Sequence, residues 1–170
     1  MQFIVEAMTR AEVRNLLRNL SADLGDAIKD TIRRIDSEPQ NRQKAAKRCL
    51  MWVSHACRPL TINELRYALA TQLGEKEFDE DNVLQARFIV ECCLGLIVID
   101  EGSSVVRLVH HTLQDYLYSE RQGLFQDEAT EITKVCLTYL CFGNLPAASV
   151  DEEGGVEYLY LSLHCFANEV

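Results

Sequence analysis

At 170 residues and 48% apolar composition, the chain can bury one domain core plus an accessory helical segment, and it is too short for a multidomain enzyme. A formal charge of −9 and a pI near 4.9 set the averaged surface against nucleic acid and anionic membranes. No stretch approaches the roughly 20 apolar residues of a membrane span. The N-terminus "MQFIVEAMTRAEVRNLLRNL" turns charged and amphipathic where a signal peptide would carry its cleavage site, so a cytoplasmic protein is expected.

Val13, Leu16, Leu17 and Leu20 fall at helical spacing and predict a first amphipathic helix ending near Ser21; Leu24, Ala27, Ile28, Thr31, Ile32 and Ile35 predict a second. The polar segment "DSEPQNRQ" (residues 36–43) contains Pro39 and reads as a boundary, giving a helical linker over 1–42. From Lys44 an apolar stripe of Ala46, Cys49, Leu50, Val53, Ala56 and Cys57 predicts a third helix that stops by Arg58, because Pro59 restricts the residue before it. Trp52 lies beside that stripe, at core or interface. In "PLTINELRYALA", Thr61 stands three residues before Glu64, the spacing of a capping box, with Leu60 and Leu65 as the hydrophobic staple.

The acids of "DEDN" (79–82) suit a helix N-terminus, and Leu84, Ile89, Val90 and Cys93 continue that helix to Gly95 as its stop. "LIVID" and "VVRLV" around "EGSS" predict two strands joined by a tight turn. Helices over 112–120 and 128–142 follow, and residues 156–170 start another. The fold class is mainly α with a small β-hairpin wing: a helical lead-in, a winged helix over 43–120, and a C-terminal helical segment over 121–170.

The blocks "AAKRCLMWVSHACRPLTINELRYALA", "ECCLGLIVIDEGSSVVRLVHHTLQDYL" and "CLTYLCF" resemble the winged-helix region of fungal NACHT proteins, signal-transduction ATPases of the STAND type that often carry ankyrin repeats. The same module is catalogued as a winged helix of the GPI inositol-deacylase type. Upstream, "VRNLLRNL" and "TIRRI" are similar to the helices that link the NACHT core to it, with Ala27 near the place of a usual tyrosine. The resemblance implies a non-catalytic regulatory module, an intramolecular clamp and signal relay. Its partners would be a neighbouring NACHT ATPase core and ankyrin-type sensor or effector domains. None of the eight glycines is followed by lysine, so no G-x-x-x-x-G-K-[ST] phosphate loop is present. No cofactor is expected on the chain alone, ADP or ATP entering only with an ATPase core, and the chain is expected to be a fragment or shortened product. There is also no G-x-S-x-G nucleophile elbow, so no lipase activity is expected.

The family's winged helix contributes a histidine that contacts the phosphate of bound ADP. The matching run here is Val109, His110, His111, Thr112, Leu113, Gln114, Asp115 and Tyr116, in which His110 takes that place and Asp115 replaces the usual glutamate. The plainer alternative has His110 packing where a wing strand meets a helix, with Thr112 and Asp115 as a capping pair. His111 is expected to be solvated and within reach of Asp115 at i, i+4 spacing; His55 and His164 are expected on helix surfaces.

No catalytic residue and no metal site are assigned. The seven cysteines are odd in number, lack C-x-x-C and mostly follow apolar stripes, which suits reduced core thiols. Adjacent Cys92 and Cys93 point about 100° apart on a helix and chelate poorly. A winged helix that reads DNA presents its third helix to phosphates, yet residues 74–101 hold eight acids against Lys76 and Arg87. A free-standing nucleic-acid-binding regulator is therefore the secondary reading. The basic run from Lys29 to Arg48 is expected to be a solvated face or a complement to acidic surface.

Overall fold

The computed structural model describes residues 24–56, 58–119 and 128–143. The expected helix over Val13–Leu20, Cys57, and the segment 156–170 with His164 and Cys165 lie outside them.

Helix α1 is described over 24–36 and α2 over Gln40–His55, so the polar segment read as a boundary shrinks to the turn 37–39. Pro39 is the N-cap of α2, with φ −51° and no side-chain cap. The polar residues that look like linker instead dress the corner. Lys47 Nζ lies 2.6 Å from Asp36, Gln43 donates to the Asp36 carboxylate at 3.1 Å, and Arg42 donates to Glu38 at 2.9 Å. Ile28, Ile32 and Ile35 of α1 are buried in the same core as α2. The lead-in helix therefore packs on the winged helix.

Helix α2 ends at His55, three residues before Arg58, and α3 spans Ile62–Ala70. The capping box is formed in full: Glu64 N–H donates to Thr61 Oγ1 at 3.3 Å and Thr61 N–H to Glu64 Oε2 at 2.7 Å. Leu60 and Leu65 are both buried, as a staple requires. Arg58 adds what the motif does not show, a guanidinium paired with the Glu64 carboxylate across the Pro59 turn.

The helix expected from Asp79 begins later. Residues Glu80–Asn82 form a 3-10 turn because Asp79 spends its carboxylate locally, accepting from Asp81 N–H at 3.0 Å and Asn82 Nδ2 at 2.9 Å. Val83 and Gln85 are extended, and α4 runs over Ala86–Cys92. Its exit uses two left-handed residues, Leu94 (φ 48°) and Gly95 (φ 85°). A glycine suits the second of these without strain.

Strands β1 (Ile97–Ile99) and β2 (Val106–Leu108) pair antiparallel in the register Ile97↔Leu108, Val98↔Arg107 and Ile99↔Val106. Asp100 closes the tip by accepting from the Ser103 amide and hydroxyl at 2.8 and 2.7 Å. A third edge escaped the sequence reading. Thr61 bridges Val105, with Ile62 N–H donating to Ser104 O and Val106 N–H to Leu60 O, both at 2.8 Å. The order helix, short edge, helix, helix, hairpin is that of a winged helix.

Helix α5 spans His111–Ser119 and α6 spans Glu128–Leu140. Leu113 and Leu117 of α5 and Ile132, Val135 and Cys136 of α6 enter the main core, whose hub is α2. Trp52 is 2% exposed, which places it in the core and not at an interface. Arg48 of α2 donates to the carbonyls of Leu69 and Ala68 at 2.8 and 3.3 Å and to Glu131 of α6 at 3.2 Å. One guanidinium thus satisfies orphan carbonyls at the end of α3 and pins α6.

Candidate functional site

The site begins where the wing returns to the helical body. Val109 N–H donates to Leu96 O at 3.0 Å, which fixes the backbone just before His110, and Leu113 N–H donates to His110 O at 3.1 Å as α5 starts. His110 Nδ1 accepts from Thr112 N–H at 3.2 Å. His110 is therefore the residue that caps α5; the alternative of Thr112 and Asp115 as a capping pair does not form, since Thr112 supplies the amide that is capped. An accepting Nδ1 in a neutral ring leaves the proton on Nε2, so His110 presents an N–H donor on an exposed side chain.

The His111 ring lies against it, centroids 4.2 Å apart with 34° between planes. His111 and Asp115 are both exposed, and no ion pair joins them among the described residues. His55 is half-buried rather than on the surface. Its Nδ1 lies 3.1 Å from Met51 O and 2.8 Å from Ser54 Oγ, both within α2. Tyr118 stacks edge-on against it at 5.1 Å and donates to Ser54 O at 3.0 Å, fastening α5 to α2. The two histidines thus differ in role: His110 caps α5 from an exposed position, and His55 packs between α2 and α5.

The face that would meet DNA is acidic. Glu75, Glu77, Asp79, Glu80, Asp81 and Glu91 are exposed, and Arg87, the one cation of α4, is paired with Glu91 at 2.7 Å. Across the molecule, the basic run is largely consumed by structure. Arg33 pairs with Asp30, Arg42 with Glu38, Lys47 with Asp36 and Arg48 with Glu131. Lys47 and Gln43 hold the Asp36 carboxyl below its usual range against a smaller effect of burial. Arg42 also lies 5.4 Å from the Phe88 ring centre, a cation–π contact to α4. These ties answer what the run is for: it joins α1, α2, α4 and α6. Sequence reading missed Arg48 and Arg58, whose partners lie on other elements and leave no local spacing to find.

Cys49, Cys92, Cys93 and Cys136 are buried and Cys141 is exposed. The Cys49 thiol is raised by its hydrogen bond with Cys93 and by burial, Cys92 by burial, and Cys136 is pushed by burial up to about 12. A maleimide probe near neutral pH is accordingly expected to label Cys141 in the native chain and spare the other four until denaturant is added, as read by mass spectrometry of the peptides. Rapid native labelling at Cys136 would contradict the packing of α6. Among the described residues no group of three or more His, Cys, Asp or Glu side chains could hold a metal ion. Among them, too, no helix is long and apolar enough to cross a membrane.

The family model described as "GPI inositol-deacylase, winged helix domain" matches residues 35–133. Azaphilone pigments biosynthesis cluster protein L of Monascus ruber is 32% identical over 154 residues, an alignment covering 79% of this chain and 32% of that protein. The chain thus spans about a third of that relative's length. No solved structure matches. With more than half of the chain inside the family match and the helix, edge, helix, helix, hairpin order in place, the protein belongs to the GPI inositol-deacylase winged helix domain family.

Proposed function

We propose that the chain acts as a non-catalytic regulatory winged-helix module of a NACHT-type signalling protein, clamping an ATPase core in its ADP-bound state and relaying activation to an ankyrin-type sensor or effector. The observation that carries this reading is His110. Its Nδ1 is engaged by the Thr112 amide, so ring orientation and tautomer are set, and its Nε2–H is free to donate outward from the second residue after the wing strand. ADP, when bound to such a core, supplies phosphate oxygens that accept this donor. His110 offers this donor while the sequence holds no G-x-x-x-x-G-K-[ST] loop, which fits a contact supplied to a neighbouring core. Because the donor bonds one nucleotide state, it would stabilise that state selectively.

The relative from Monascus ruber, of which this chain covers 32%, supports a module within a longer protein, and its printed name ties it to an azaphilone pigment biosynthesis cluster. Among the described residues, the Cys93 hydrogen bond and burial at Cys49, and burial at Cys92 and Cys136, hold these thiols protonated, which argues against a thiolate nucleophile at those three positions. The competing reading, a nucleic-acid-binding regulator, is disfavoured by the acidic face around α4, whose Arg87 is paired with Glu91, and by the engagement of Arg33, Arg42, Lys47 and Arg48 with carboxylates of this chain.

A fluorescence-anisotropy titration of the chain against duplex DNA and RNA over a series of salt concentrations separates the two. The clamp reading expects no saturable binding at about 0.15 M salt. Binding that weakens steeply as salt rises would overturn it in favour of the regulator.

A further inference from the structure

The turn between α1 and α2 carries chemistry that the clamp reading does not use. Arginine stands three residues before a hydroxyl side chain at three places: Arg18 before Ser21, Arg34 before Ser37 and Arg58 before Thr61. Ser21 lies outside the described residues. Thr61 is half-buried, and its hydroxyl oxygen is engaged in the capping box. Ser37 is exposed in a turn, and together with Arg33, Arg34 and Glu38 it lines an open surface cleft of about 350 Å³. Arg33 is paired with Asp30, whereas Arg34 has no ion-pair partner among the described residues.

We infer that Ser37 is a phosphorylation site for a protein kinase whose acidic groove reads the preceding arginines, and that the phosphate unlatches α1 from the winged helix. Ser37 Oγ forms a bond to the γ-phosphorus of ATP and the bond from that phosphorus to the β,γ-bridging oxygen breaks. ADP leaves, and the hydroxyl proton passes to the base of the kinase.

In the unmodified chain the Ser37 hydroxyl donates to Arg33 O at 2.9 Å, and its N–H donates to the Arg33 and Arg34 carbonyls, both at 3.1 Å. Ser37 thereby seals the C-terminal end of α1. A phosphoserine ester oxygen has no hydrogen to donate, so the first bond is lost. The new group carries a charge of about −1.5 to −2 and stands at the negative end of the α1 dipole. Its neighbours in the chain are Asp36 and Glu38, so it also competes for Lys47, which holds the end of α1 to α2 through Asp36, and for Arg42, which holds the turn to α2 through Glu38. A kinase binds an extended segment, so the last turn of α1 must fray before transfer, and the phosphate then opposes its reclosing. Modification selects the open form and retains it. Ile28, Ile32 and Ile35 leave the core as a unit.

The test is incubation of the full chain with magnesium ATP and a purified kinase selective for arginine three residues before its acceptor, followed by site mapping and amide hydrogen exchange. The expected result is phosphate on Ser37 and not on Thr61, loss of that label in Arg34→Ala, and exchange over residues 28–35 faster by about tenfold or more in the phosphorylated chain. Ser37→Ala treated identically should show no such acceleration, which ties the effect to the phosphate. A chain in which Ser37 stays unmodified, wherever else the label falls, overturns the site. Phosphate on Ser37 with unchanged exchange across α1 overturns the switch.

Discussion

Replacing Trp52 with alanine is expected to destabilise the fold by about 3–5 kcal/mol, the loss of a large core side chain plus the cavity it leaves. At this chain length that lowers the melting temperature by roughly 6–20 °C. The expectation rests on position as much as on size. Trp52 is 2% exposed on α2, the helix against which α3, α4, β2, α5 and α6 all pack, so the void opens at the centre of the core. Trp52→Phe should behave differently. The indole Nε1 is buried without an acceptor among the described residues, so removing it relieves an unpaired donor while keeping most of the volume. Thermal or denaturant unfolding of the two variants should show the alanine cost several times larger than the phenylalanine cost, and equal costs would contradict a tightly packed α2.

Glu64→Ala should cost about 2 kcal/mol near neutral pH, combining loss of the reciprocal half of a cap with loss of a partly exposed charge-assisted bond to Arg58. The cost is expected to depend on pH. Burial disfavours the charged Glu64 carboxylate, but the bonds from Arg58 and Thr61 outweigh it, so the group titrates below its ordinary 4.5. The unfolded chain therefore takes up this proton at a higher pH than the folded one. The stabilisation is fully present above about 4.5 and is lost as the pH falls through the lower folded value. Denaturant midpoints for wild type and Glu64→Ala, taken from roughly pH 7 to pH 3, should converge toward the acid end; a constant gap would show that the charge contributes nothing.

How much of this was legible in the sequence depended on whether the cause was local. The capping box at Thr61 and Glu64 and the two wing strands follow from residues a few positions apart, and the structure reproduces them. Acids favour helix N-termini in general and so point to a start of α4 at Asp79, whereas Asp79 bonds Asp81 and Asn82 and completes a 3-10 turn that ends before α4 begins at Ala86. The edge at Thr61 has no alternating pattern to betray it, since a single bridge to Val105 is held by the turn on one side and the wing on the other. His110 as a cap was hidden for a chemical reason: helices usually take Ser, Thr, Asp or Asn there, and histidine fills the role only because Nδ1 meets the Thr112 amide. Arg48 and Glu131 stand 83 residues apart, a pairing that only the folded chain brings together.

The helical lead-in adds a consequence for the module. Because α1 shares the main core and is fastened at its C-terminal corner by Lys47 and Arg42, displacement of whatever precedes it would be felt by α2 directly. On the proposed reading, that makes α1 the input to the clamp and the His110 junction its output, with α2 tied to Asp36 at the end of α1 and, through the Tyr118–Ser54 bond, to the far end of the helix that His110 caps.

The role of His110 is tested by the dissociation rate of ADP from a protein that joins this module to a NACHT ATPase core, compared among wild type, His110→Ala and His111→Ala. Loss of one charge-assisted bond worth about 1.5–3 kcal/mol predicts release faster by roughly 10- to 150-fold for His110→Ala, with His111→Ala close to wild type. Release from His110→Ala as slow as from wild type would rule out His110 as the phosphate contact.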